Sequence, residues 1–134
     1  MAVRILLDTD AYSAFMRGHE GVVARVRQAE RVLLSAVVAG ELLFGFRSGS
    51  RYEHNRKTLD SFLANPYVEL LPVTWTTAER FGRIASALRA KGRPIPTNDI
   101  WIAAHAMETG ADLLSFDEHY GHVDGIAWVR ADEA

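Results

Sequence analysis

The sequence predicts an α/β fold in three layers: a mainly parallel central sheet of four to five strands with helices on both faces. Three observations carry this reading. Short apolar runs without a helical stripe recur along the 134 residues, and runs of that length are strands buried on both faces. Between them lie stretches with apolar residues at helical spacing, so strand and helix alternate. There is no repeat, low-complexity segment or linker, so one domain over 1–134 is expected, large enough to bury a stable core.

The first strand is Arg4-Ile5-Leu6-Leu7, stopped by the acids Asp8 and Asp10. Asp10 is expected to cap a helix over 10–18, with Ala11, Tyr12, Phe15 and Met16 on its apolar side and Gly18 ending it. A second helix over 20–31 buries Val22, Val23 and Val26 and turns Arg25 and Arg27 outward. The second strand is Arg31-Val32-Leu33-Leu34-Ser35. Ser35 caps a helix over 36–46 that carries Glu41; Leu42, Leu43 and Phe44 predict burial on much of its girth. After the break Ser48-Gly49-Ser50, a capping box at Ser50-Arg51-Tyr52-Glu53 opens a helix to about residue 64.

The third strand spans 67–73. A second capping box, Thr76-Thr77-Ala78-Glu79, opens a helix with Phe81, Ile84, Ala85 and Leu88 inside and Gly92 as its stop. Arg93-Pro94-Ile95-Pro96 is an extended connector. Thr97 or Asn98 caps an apolar helix over 99–109, ended by Gly110. The fourth strand is Asp112-Leu113-Leu114-Ser115 and a short last one is Ile126-Ala127-Trp128-Val129.

Composition narrows the function. The apolar fraction of 49% is ordinary for a globular protein. No cysteine is present, which excludes disulfides, a thiol nucleophile and cysteine-ligated metal. The formal net charge of −2 gives no global pull on nucleic acid, so any such partner needs a local basic patch or a metal ion. The first apolar run is too short for a signal core, and nothing approaches the roughly 20 apolar residues of a spanning helix. A soluble, cytoplasmic protein with no membrane partner is expected.

Four acids fall where this architecture converges. Asp8 follows the first strand, Glu41 lies in the second turn after the second, Asp99 opens the helix before the fourth and Asp117 follows it. In an open α/β sheet ligands bind at the carboxyl ends of strands, at the point where strand order reverses. Each acid alone reads as a cap, a turn residue or a solvated helix residue. Together, in part surrounded by apolar neighbours, they would repel one another without a cation. Carboxylates without histidine or cysteine select Mg²⁺, with Mn²⁺ as a substitute, over zinc.

The stretches around these acids resemble a known family. Leu6-Leu7-Asp8-Thr9-Asp10, Ser35-Ala36-Val37-Val38-Ala39-Gly40-Glu41-Leu42 with Gly45 following, Ile95-Pro96-Thr97-Asn98-Asp99-Ile100-Trp101-Ile102-Ala103-Ala104-His105-Ala106 and Leu113-Leu114-Ser115-Phe116-Asp117-Glu118-His119-Tyr120 are similar to PIN-domain ribonucleases. The nearest likeness is to the VapC-like toxins of toxin–antitoxin pairs, over nearly the whole chain. The resemblance implies a PIN-like sandwich and Mg²⁺-dependent hydrolysis of RNA. It implies Asp8 and Asp99 as the most direct metal ligands, with Glu41 and Asp117 completing the set through water or a second ion. Thr9, Asp10 and Ser115 support the acids. A VapB-like antitoxin is the implied partner, packed beside the first helices, and homodimers are common in the family. The chain departs from the pattern at Asp10, where Asn is frequent, at Ser115, where Thr is common, and at His119-Tyr120, where an Asp-Phe pair is usual.

The remaining residues read less sharply. Arg47, Arg51, Arg56 and Lys57, with His54, form the densest basic segment: RNA contacts, or a solvated helix face. His119 and His122 read as surface or packing histidines, because zinc needs three or four ligands in one constellation. Trp75, Trp101 and Trp128 read as core, and Phe44, Phe46 and Tyr52 as core or as exposed aromatics that would serve the implied antitoxin groove. Asp8-Thr9-Asp10 also matches the Asp-x-Asp strand end of haloacid-dehalogenase-type phosphatases, with Asp8 as nucleophile. An inactive PIN-like module binding RNA or protein is the non-enzymatic alternative.

Overall fold

A computed structural model describes residues 3–133. The strands are β1 (Arg4–Leu7), β2 (Arg31–Ser35), β3 (Val68–Leu71), β4 (Asp112–Ser115) and β5 (Ala127–Arg130). The helices are α1 (Thr9–Met16), α2 (Glu20–Gln28), α3 (Ala36–Ser48), α4 (Tyr52–Leu63), α5 (Trp75–Lys91) and α6 (Thr97–Thr109). The sheet order is β3-β2-β1-β4-β5 and every pairing is parallel. Helical crossovers join all but the last pair, and a short 3-10 turn, Glu118–His122, lies in that connection. The chain steps one way from β1 to β3, then crosses β1 to reach β4. Right-handed crossovers therefore put α1 to α4 on one face and α5 and α6 on the other.

Covering both faces explains why the central strands are apolar without alternation. Leu6 lies beside Leu33 and Leu113, and Leu7 beside Leu34 and Leu114. All six are buried. Each contributes roughly 2 kcal/mol by leaving water. Among the described residues, no helix is long and apolar enough to cross a membrane.

Four caps differ from the expectation. Asp8, not Asp10, caps α1: its extended backbone puts its carboxylate on the Ala11 N–H. Asp10 falls in the first turn and faces solvent. The Ser50 box does not form, since Arg51 takes the N-cap place of α4 without a side-chain bond. The second box forms two residues early, between Thr74 and Thr77, because Trp75 and Thr76 are already helical. Pro96, with φ −55° and ψ 143°, stands at the N-cap of α6 in place of Thr97 or Asn98. The glycine stops hold: Gly92 and Gly110 are left-handed, at φ 68° and 70°, where a side chain would be strained.

Burial on α3 is narrower than expected. Only Val38 and Leu42, one turn apart on one stripe, are fully buried, and Phe44 is 75% exposed. Trp75 is 85% exposed at the start of α5, so it is not core. Trp101 stacks on Phe81 with centroids 4.1 Å apart. The Trp128 indole donates to the Ser115 carbonyl at 3.2 Å.

His105 locks the carboxyl edge of the sheet. It is 1% exposed on α6. One ring nitrogen, Nε2, is 3.0 Å from the Pro72 carbonyl just past β3. A carbonyl only accepts, so Nε2 carries the proton there, and Nδ1 accepts from the Ser35 hydroxyl at 2.9 Å. Ser35 in turn accepts the Val37 N–H that starts α3.

Candidate metal centre at the carboxyl edge

β1 and β4 are neighbours at the reversal of strand order, so the residues that follow them meet. Asp8 ends β1 and is 6% exposed. Its Oδ1 accepts from the Ala11 N–H at 2.9 Å and its Oδ2 from the Ser115 hydroxyl. Ser115 ends β4, and its oxygen also accepts the Asp117 N–H at 2.9 Å. One buried hydroxyl thus ties Asp8 to the backbone of Asp117. Thr9 donates to Glu41 Oε1 at 2.8 Å and holds that half-buried acid toward α1.

Asp99, in the first turn of α6, is where the charges converge. Burial first, then the charges of Asp117 and Glu41, push its carboxyl up to about 6. Asp8 also rises to about 6, mainly through burial, with Asp10 and Asp99 adding repulsion; its bonds from Ser115 and Ala11 pull the other way. Asp10 acts on the site as a charge at its rim.

The four acids do not converge equally. Asp99 and Asp117 come together with His119, their ligand atoms all within 4.8 Å of one another. Asp8 and Glu41 flank this group within electrostatic reach of Asp99. Repulsion among half-buried carboxylates is the environment a divalent cation relieves. The donor set therefore suits such an ion.

The sequence is similar to known proteins over almost its full length. Residues 5–126 match the PIN domain family. This chain belongs to the PIN-domain family. Ribonuclease VapC1 of Haemophilus influenzae (strain R2866) is 27% identical over 128 residues, covering 92% of this chain and 94% of that protein. The structure of VapBC-1 from nontypeable Haemophilus influenzae superposes with a TM-score of 0.86 at 24% identity, over 97% of this chain and 99% of that one. VapBC-5 from Mycobacterium tuberculosis, a member of the VapBC family of toxin–antitoxin systems, gives a TM-score of 0.71 at 25% identity, over 96% and 98%.

Two residues that the sequence marked only as departures from the family pattern stand at the site of this PIN domain. Tyr120 is 1% exposed, and its phenol, pushed far up by burial and by Asp99, lies beside that carboxylate without a closed hydrogen bond. The 3-10 turn from Glu118 to His122 swings it there, a geometry that no motif announces. His119 is not an idle surface ring: its Nδ1 sits 3.0 Å from Asp117 Oδ1. The basic candidates lie at the end of α3 and along the start of α4. Arg47 lies over the Tyr52 ring at 4.3 Å, and Arg47 and Arg56 both donate to the Tyr52 hydroxyl, at 3.1 and 3.2 Å. Arg51 and Lys57 are exposed beside them.

Ser115→Ala removes the hydroxyl between Asp8 and Asp117. It is expected to cost about 1–3 kcal/mol in urea unfolding, because a buried carboxylate and an N–H each lose a partner. Divalent-ion affinity should fall about tenfold, since orientation of the acids goes with it. A loss below about 0.5 kcal/mol would mean the bridge carries no weight.

Proposed function

We propose that this chain is a Mg²⁺-dependent endoribonuclease toxin, neutralised by a cognate VapB-like antitoxin, with 1–134 as one catalytic domain. The observation that carries this is the meeting of Asp99 and Asp117 at the switch point, with buried Asp8 and half-buried Glu41 close enough to act on Asp99. A relative over most of its length is named a ribonuclease, and a neighbour of the same fold belongs to a toxin–antitoxin system.

Asp99 and Asp117 would hold the ion, with Asp8 and Glu41 completing the set directly or through water. Mg²⁺, when bound, supplies positive charge against the scissile phosphate and acidifies the attacking water; Mn²⁺ substitutes. The chain's own residues arrange the pocket. Thr9 orients Glu41, and Ser115 orients Asp8 and the Asp117 backbone. Tyr120 closes the inner side against Asp99. No histidine base is required. Arg47, Arg51, Arg56 and Lys57 would take the RNA backbone as the local basic patch that a net-negative protein needs. A cleft of about 650 Å³ between α1, α2, α4 and β3, lined by Phe15, Val23, Val26, Phe62 and Val68, suits an antitoxin segment. The exposed rings of Phe44 and Trp75 suit a contact between two copies.

The test is cleavage of a structured RNA by purified protein. Cleavage with Mg²⁺ that stops with a chelator supports the proposal. Turnover of a phosphate monoester through a covalent Asp8 intermediate, with RNA intact, overturns it.

A pH dependence follows from the raised carboxyls. A folded-state value near 6, above the ordinary 3.8, means the contribution of Asp8 and Asp99 to stability is full below 3.8 and lost as pH rises through about 6. Mg²⁺ competes with those protons and offsets the loss. The rise in melting temperature on adding Mg²⁺ should therefore be small at pH 5 and several degrees at pH 7.5. An equal rise at both would contradict the assignment.

A further inference from the structure

Among the described residues, one group of metal-ligating side chains has its ligand atoms all within 4.8 Å, and it contains an imidazole: Asp99, Asp117 and His119. His119 Nδ1 is 3.0 Å from Asp117 Oδ1. That is an ordinary hydrogen-bond distance, and it is also the spacing of adjacent corners of an octahedral ion, about 3 Å when each metal–ligand distance is about 2.1 Å. The same Asp117 oxygen accepts the His119 backbone N–H at 2.9 Å, which pins the start of the 3-10 turn and keeps the ring on the carboxylate. The side chain of His119 is 53% exposed, so packing does not account for its position.

We propose that His119 is a nitrogen ligand of the ion held by Asp99 and Asp117, and that it biases this site toward transition ions, with Mn²⁺ bound more tightly than Mg²⁺. The inference rests on the metal site proposed above and adds the residue that sets its selectivity. Mg²⁺ takes oxygen ligands and keeps its waters; imidazole suits Zn²⁺, Fe²⁺, Ni²⁺ and Cu²⁺ best, and Mn²⁺, which shares the carboxylate preference of Mg²⁺, is the weakest-binding member of that same first-row series. A pocket of carboxylates alone favours both ions through charge. One imidazole adds affinity only for the ion that accepts nitrogen.

The experiment uses the full-length chain and Mn²⁺ or Mg²⁺ alone. Pulsed electron paramagnetic resonance on the Mn²⁺-loaded parent should show the coupling of a directly bound imidazole nitrogen, absent in His119→Gln. Calorimetry should show Mn²⁺ affinity falling about tenfold in His119→Gln and Mg²⁺ affinity changing by less than about twofold. Circular dichroism melting checks that the variant, altered at an exposed position, keeps its fold. Bound Mn²⁺ without nitrogen coupling, or equal weakening of both ions, overturns the proposal and makes His119 a positioning residue for Asp117. If the parent binds neither ion, or Asp99→Asn binds Mn²⁺ as tightly as the parent, the metal site itself fails and His119 falls with it.

Discussion

Asp99→Asn should reduce RNA cleavage by at least about a hundredfold and, without metal, make the protein harder to unfold. The two effects share one cause. Asp99 is held at about 6 by burial and by the charges of Asp117 and Glu41, so ionising it at pH 7 opposes folding. A shift of about two units corresponds to about 3 kcal/mol, and the partial exposure of Asp99 brings the recoverable part nearer 1 kcal/mol. Asparagine keeps the shape and removes the charge. A destabilising ion pocket is the usual signature of a site whose energy is spent on function. Thermal unfolding in chelator, beside RNA cleavage in Mg²⁺, reads both effects. Lost activity with lost stability would mean Asp99 holds the fold rather than an ion.

His105→Ala should give the largest stability loss, about 3–4 kcal/mol in urea unfolding with an unchanged m-value. The ring is buried and joins Ser35 at the end of β2 to Pro72 after β3. Its removal leaves a cavity, an unpaired Pro72 carbonyl and a Ser35 hydroxyl without its acceptor. Ser35 also caps α3, which carries Glu41, so the loss reaches the metal pocket through that helix. His105→Asn, which can restore one of the two bonds, should recover part of the loss. A cost under 1 kcal/mol would mean the bridge does not hold the sheet edge.

What the sequence revealed and what it hid follow from the range of each interaction. β1, β2 and β4 were legible because burial on both faces writes an unbroken apolar run into four or five residues. The four acids were legible for a related reason: each stands at the same end of successive elements, and a parallel sheet puts those ends on one edge. Caps were harder. Asp8 and Asp10 are chemically equal as caps, and only the backbone at the end of β1 selects Asp8. At α5, Thr74 and Thr77 won over Thr76 because the helix begins at Trp75. The exposure of Phe44 and Trp75 could not be read from composition, since apolar type does not say which side of a helix is covered. His105 with Ser35 spans 70 positions, beyond any local pattern. Tyr120 and His119 depended on a short 3-10 turn that carries no periodic signal.

The carboxylates at the switch point are proposed to hold a divalent ion. The most direct measurement of this is calorimetric titration of Mg²⁺ into the parent protein and Asp99→Asn at pH 7.5. The expected result is saturable binding to the parent, with proton release that grows as pH falls toward 6, and binding lost or weakened at least about tenfold in Asp99→Asn. Equal binding by the two proteins, or none by the folded parent, would contradict it.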